Sequence, residues 1–233
     1  MTFAGATVAA FYGPKSPPFA SFLAGLQGLA GDLLPGFAPR SIEQIHATVL
    51  GLEFPIRPTT RQDVRDVLAH LHAQLGAAPV PIRFGGFGPG EAGFRSRNRT
   101  PYERSFSVSR RLAVLIGWPA DAVQRLAELR YDAERFGFRH RYHGLGLDPD
   151  PDCYLVIGEV PPEAGDAGLE EMRSYLSAHP FTVPLGAADA SVVLYRSTEL
   201  PRATSVAIPL AEAGERNDGT DAIAAVVRGD RPD

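Results

Sequence analysis

His46-Ala47-Thr48 sits inside the apolar run Ile45 to Leu52. On an extended strand, side chains at i and i+2 share one face. The His46 imidazole and the Thr48 hydroxyl therefore point together, while Ile45, Ala47 and Val49 point the other way. An imidazole titrating near neutrality beside a hydroxyl donor suits acid/base work on a phosphate ester. Much later in the chain a strand of similar make-up, Tyr154-Leu155-Val156-Ile157-Gly158, carries neither His nor Thr.

A second chemical feature is the loop Phe94-Arg95-Ser96-Arg97-Asn98-Arg99-Thr100-Pro101-Tyr102-Glu103-Arg104. Arginine binds phosphate bidentately and stacks on bases, and interleaved aromatics suit unstacked nucleotides. Arg97, Arg99 and Arg104 are the candidate phosphate contacts, set against the alternative of an ordinary exposed loop. Other patterns fail on context. Gly88-Pro89-Gly90-Glu91-Ala92-Gly93 follows a strand, but the arginine loop comes after it rather than a helix, which a dinucleotide site needs. Asp148-Pro149-Asp150-Pro151-Asp152 lacks the glycine and glutamate of a calcium loop. His70 and His72 lie two apart on a helix and face different ways. No metal site and no organic cofactor is expected.

The elements that must position these residues are read from apolar period and turn residues. Thr7 to Tyr12 reads as a strand ending at Gly13-Pro14. Phe19, Phe22, Leu23, Leu26, Leu29 and Leu33 have helical spacing, stopped by Pro35-Gly36. Ile42 to Glu53 reads as one strand. Thr60 caps a helix with the stripe Val64, Val67, Leu68, Leu71, Leu75, closed by Gly76. Val80 to Phe87 is a strand, Ser105 to Trp118 a strand or bent hairpin, and Pro119 to Phe136 an amphipathic helix. Cys153 to Val160 is a strand and Ala167 to Ala178 a helix. Phe181 to Pro184, Ala190 to Ser197 and Ala203 to Leu210 read as strands. Strand-helix-strand occurs near 7–52 and again around 153–197. Short turns between consecutive strands imply antiparallel pairing and an α+β fold. Residues 1–210 are expected to form one domain of two lobes. The small, acidic, Gly-containing stretch 211–233 is expected to be disordered.

This order of elements, with His-x-Thr on the second strand, resembles the two-histidine phosphoesterases, which include 2'-5' RNA ligase-like proteins and cyclic phosphodiesterases. The resemblance runs over about residues 5–200. It takes in Pro81-Ile82-Arg83-Phe84, Leu115-Ile116-Gly117-Trp118-Pro119 and Ser191-Val192-Val193-Leu194-Tyr195-Arg196-Ser197. It implies two pseudo-symmetric lobes, two antiparallel-rich sheets with outer helices, and a central cleft to which each lobe gives one His-x-Ser/Thr strand. It also implies metal-free opening or forming of a phosphodiester in a nucleotide or short RNA. His46 would be the acid/base group and Thr48 the phosphate donor. The chain departs from the pattern where Tyr154 takes the second histidine's position and Val156 the hydroxyl's. Tyrosine, with a pKa near 10, is a poor base at neutral pH, and valine donates no hydrogen bond. Tyr154 is left as an orienting or acid group, with His140 and His143 as possible substitute histidines. A homologue that binds nucleotide or RNA without cleaving it is the alternative.

The 233 residues are 44% hydrophobic and carry a formal charge of -4. That charge does not suit a general nucleic-acid surface or a DNA duplex, so any anion site is local. A lone cysteine, Cys153, excludes an internal disulfide and points to a reducing, cytoplasmic setting. No membrane span and no signal peptide are expected. Lys15 is the one lysine among many arginines, a coding bias of GC-rich bacteria.

Overall fold

The computed structural model describes residues 3–53, 55–91, 93–140, 151–161, 166–213 and 217–228. The fold is α+β, with every strand pair antiparallel. In chain order the strands are β1 (Gly5–Ala10), β2 (Ala38–Pro39), β3 (Ala47–Gly51), β4 (Val80–Phe84) and β5 (Phe106–Ser109). They continue with β6 (Leu112–Pro119), β7 (Cys153–Glu159), β8 (Phe181–Leu185), β9 (Ala190–Tyr195) and β10 (Val206–Pro209). The helices are α1 (Pro17–Leu33), α2 (Arg61–Ala77), α3 (Pro101–Ser105), α4 (Arg125–Asp132), α5 (Asp166–Ala178), α6 (Leu210–Ala213) and α7 (Asn217–Arg228).

Two sheets form the lobes. The first has the order β10-β9-β1-β3; the second runs β2-β7-β6-β4-β8, with β5 paired to β6. They come together where β3 lies beside β7. The two strand-helix-strand units are unequal. β1 and β3 pair directly, whereas β6 and β4 stand between β7 and β8. The last core strand, β9, returns to the first sheet beside β1.

Alternation sets the faces. In β7 residues 153, 155 and 157 are buried, while Tyr154 and Val156 are only partly covered. In β3 Ala47 and Val49 go into the core and Thr48 does not. Helix α1 covers the core with Phe19, Leu23, Leu26 and Ala30, and Pro17-Pro18 fill its first turn, where a missing N–H is harmless. Phe19, Phe22, Phe84 and Phe181 stack into one aromatic block. Helix α2 buries the predicted stripe. A capping box starts it: Thr60 Oγ1 accepts from Asp63 N (3.1 Å), and Asp63 Oδ2 accepts from Thr60 N (2.7 Å).

Several boundaries differ from the sequence reading. Ile42 to Glu53 is not one strand: Ile42–Gln44 form a 3-10 turn, and β3 starts after His46. Gly76 lies within α2, which runs on to Ala77. The helix expected from Pro119 starts at Arg125, because Pro119 still pairs with Ile82 and Ala120 N bonds Pro81 O (2.8 Å). The expectation of disorder from 211 onward is corrected for α6 and α7. Thr220, Ile223 and Ala224 are buried at helical spacing, and α7 packs on α2 and β1. Composition alone hides that stripe. Thr220 Oγ1 donates to Ala213 O (2.9 Å), and Arg61 pairs with Asp221 (2.6 Å). No helix among the described residues is long and apolar enough to cross a membrane.

Candidate functional site

A bulge phases the face on which His46 and Thr48 lie. Val8 pairs with Leu50 and Ala9 with Thr48, leaving Val49 as the extra residue. Beyond it the pocket-lining phase moves from even to odd positions, so Gly51 and Glu53 join His46 and Thr48 in lining one pocket. Thr7 lines it from β1, and Tyr195, Thr198 and Leu200 line it from the end of β9 and the turn after it. The hollow is small, with a cavity volume of about 50 Å³, and opens to solvent. Thr7 Oγ1 donates to Leu50 O (3.0 Å), across the bulged pair.

The His46 ring is held in one orientation. Its Nδ1 lies 2.8 Å from Gln44 O, a carbonyl that can only accept, so Nδ1 carries the proton and Nε2 keeps its lone pair. Tyr12 packs edge-on at 5.8 Å, its hydroxyl donating to Leu200 O (3.1 Å). Burial pushes the imidazole down to about 4; the Gln44 bond opposes this, and the Arg40 and Lys15 charges add to it. His46 is therefore neutral at pH 7. Lys15 Nζ donates to Phe11 O (2.6 Å) and Gly13 O (3.0 Å). Burial pushes that amine down to about 8, against the pull of Glu43. Arg202 stacks over Tyr12 at 5.0 Å.

The corresponding face of the second sheet is filled. Val114, Ile116 and Trp118 of β6 pack with Phe87 and Tyr102, and Phe94 and Tyr154 close over them. Tyr154 thus joins an aromatic cluster and does not line the His46 pocket. The arginine loop supplies part of this filling. Ser96 and Arg99 exchange two backbone bonds of 3.0 Å, and Arg97 and Asn98 between them both have positive φ, as a tight reverse turn demands. Arg97 and Arg99 are exposed at the turn. Arg104 is not a surface phosphate contact, which corrects its assignment. It is buried and pairs with Asp152 and Ser96. Asp152 Oδ1 also accepts from Ser96 Oγ and from Trp118 Nε1, both at 2.7 Å.

Buried Arg130 joins the two halves. Its Nη2 donates to Thr48 O (2.8 Å) and Asp152 O (3.0 Å), and its Nε to Val49 O (3.0 Å). One guanidinium thus fixes the backbone of the His-x-Thr strand against the entry to β7. His140 is buried and is not among the residues lining the pocket; His143 lies outside the described residues. Cys153 is buried, its thiol pushed up to about 12 by burial, which makes it inert. No group of three or more metal-ligating side chains occurs among the described residues. Sequence reading misses Glu53, Thr7, Tyr195 and Thr198 in the pocket. The i+7 spacing of Glu53 from His46 is off the strand phase, and only the bulge brings it round.

No protein-family model matches the chain, and no curated protein matches it. Among solved structures, the chain is similar to the crystal structure of TT0787 of Thermus thermophilus. The TM-score is 0.45 at 16% identity, covering 88% of this chain and 93% of that one.

Proposed function

We propose that the His46 pocket is a metal-independent acid/base site for a phosphodiester of a nucleotide or short RNA, a cyclic-phosphate or 2'-5' linkage, of the two-histidine phosphoesterase kind. One observation carries this reading: His46, with its proton fixed on Nδ1, and Thr48 line a single pocket. Nε2 is the proton acceptor, and the Thr48 hydroxyl donates to a phosphate oxygen. A bound phosphodiester anion raises the imidazole from its depressed value, since an opposite charge favours the protonated form. The test is turnover of 2',3'-cyclic nucleotides by wild type and His46→Ala. A loss of about a hundredfold or more in kcat is expected. Equal rates in both proteins, or no turnover in either, sinks the reading.

A second reading, binding without cleavage, is favoured by Tyr154. It stands where a second acid/base group belongs, yet packs among aromatics rather than into the pocket. On this reading cyclic nucleotides bind with strong salt dependence and no product forms. Arg97 and Arg99 stand on the turn tied through Ser96 to Asp152. Replacing both with alanine then weakens binding by roughly tenfold and flattens the salt dependence.

A further inference from the structure

The buried positions around β3 change phase once: Ile45, Ala47 and Val49 are in the core, and so are Leu50 and Leu52. An unbroken strand cannot bury both sets on one face, so the core itself demands the bulge at Val49. The bulge turns two neighbouring carbonyls the same way. On a regular strand successive carbonyls turn to opposite edges. Here Thr48 O and Val49 O both accept from the Arg130 guanidinium, from Nη2 at 2.8 Å and from Nε at 3.0 Å. β3 is the edge strand of its sheet, so no neighbouring strand supplies donors on that side. The same Nη2 donates to Asp152 O (3.0 Å), and the Asp152 carboxylate anchors the aromatic half through Ser96 and Trp118. One side chain of α4 thus meets the bulge of the hollow half and the anchor of the filled half.

We infer that Arg130 is a positioning residue of the His46 site: it meets both carbonyls of the bulge, holds His46 and Thr48 at the pocket, and makes that site depend on the second half of the fold. For the chemistry at His46 the inference rests on the phosphodiester reading. A guanidinium presents its N–H groups in a rigid planar fork, which suits two carbonyls one residue apart. An ammonium on a flexible stem is a point charge without that fork. Carbonyls that lose their donors against a buried side chain carry a desolvation cost. A turn of the 48–49 peptide toward other donors relieves it, moves the Thr48 hydroxyl and loosens the ring two residues earlier.

The test compares wild type, Arg130→Lys, Arg130→Met and a remote core control, Leu75→Ala on α2, all in the full chain. Chemical denaturation reads the loss of stability in each. Nitrogen NMR of the imidazoles, followed through a pH titration, reads the His46 tautomer and its pKa, depressed to about 4 in wild type. Turnover of 2',3'-cyclic nucleotides reads kcat and KM. Arg130→Lys should stay folded, yet shift the His46 resonances and move its pKa up toward the ordinary value, since burial is what depresses it. Its kcat should fall by about tenfold to a hundredfold, with KM changed by less than about twofold. Leu75→Ala should lose stability while its His46 resonances and kcat stay those of wild type. His46 resonances unchanged in the folded Arg130 variants overturn the inference, and so does an equal loss of kcat in Leu75→Ala. If Arg130→Met does not fold, Arg130→Lys alone decides. Wild type without turnover sinks the phosphodiester reading and leaves the NMR comparison to decide the role of Arg130.

Discussion

The two sheets each turn one face away from the main core, and the chain treats these faces in opposite ways. On the first sheet the face beside β3 stays hollow and polar, lined by His46, Thr48, Thr7 and Glu53. On the second the face of β6 and β7 is filled by Phe87, Phe94, Tyr102 and Trp118, with Tyr154 packed against them. The difference lies less in the strands than in their connecting segments. The turn after β9 contributes only Thr198 and Leu200 to the rim. The segment between β4 and β5 drops three aromatics onto its sheet, and Asp152 anchors it there. The first sheet thus carries a pocket where the second carries a packed aromatic cluster. Tyr154 belongs to a packed surface rather than to a pocket.

If Asp152 is the anchor of the filled half, its removal is the most damaging change. Asp152→Ala leaves the Arg104 guanidinium and the Trp118 indole N–H buried without their acceptor. Breaking a buried charge pair from one side costs about 3–5 kcal/mol. Chemical denaturation should show that loss together with increased Trp118 exposure. A change below about 1 kcal/mol would mean the loop is held by its aromatics alone.

The hollow half makes a smaller, pH-dependent prediction. His46 has a folded pKa of about 4 against 6.5 for the free side chain, so between these values the unfolded chain binds more protons. Its contribution to stability is level above about pH 6.5, declines as pH falls through that window, and levels again below 4. The loss is about 3 kcal/mol. His46→Asn should flatten that part of the stability-pH curve relative to wild type. Parallel curves for the two proteins would show that the ring is solvated and charges freely.

Much of this contrast is legible in the sequence, and the missing part has a physical cause. Local periodicity locates α1, α2, α5 and most strands, because a buried stripe leaves the same trace whatever it packs against. His46 and Thr48 are legible for the same reason: strand alternation puts them on one side. Glu53 is not, since the bulge at Val49 depends on how β1 pairs with β3. Arg104 reads wrongly as a surface group because its partner, Asp152, is distant in sequence and comes from a segment that resembles a metal loop. The helix at 217–228 escapes because small residues such as Ala224 become core only when α2 and β1 supply the opposite wall.

The smallest expected effect is the one most diagnostic of the comparison. Tyr154→His combined with Val156→Thr puts a second His-x-Thr, of the kind the proposed function calls for, on β7. If only side-chain identity separated the halves, this double variant would gain turnover of cyclic nucleotides over wild type. The packing argues otherwise: position 154 points into the cluster of Trp118, Phe87 and Phe94, where an imidazole meets ring edges instead of a phosphate. Turnover should therefore change by less than about twofold, because proton transfer needs the group within hydrogen-bond reach of the reacting atom. Adding Phe94→Ala to the double variant removes one ring from the cluster against which position 154 packs. A rate increase that appears only in this triple variant would establish that the filling, and not the two motif residues, silences the second half.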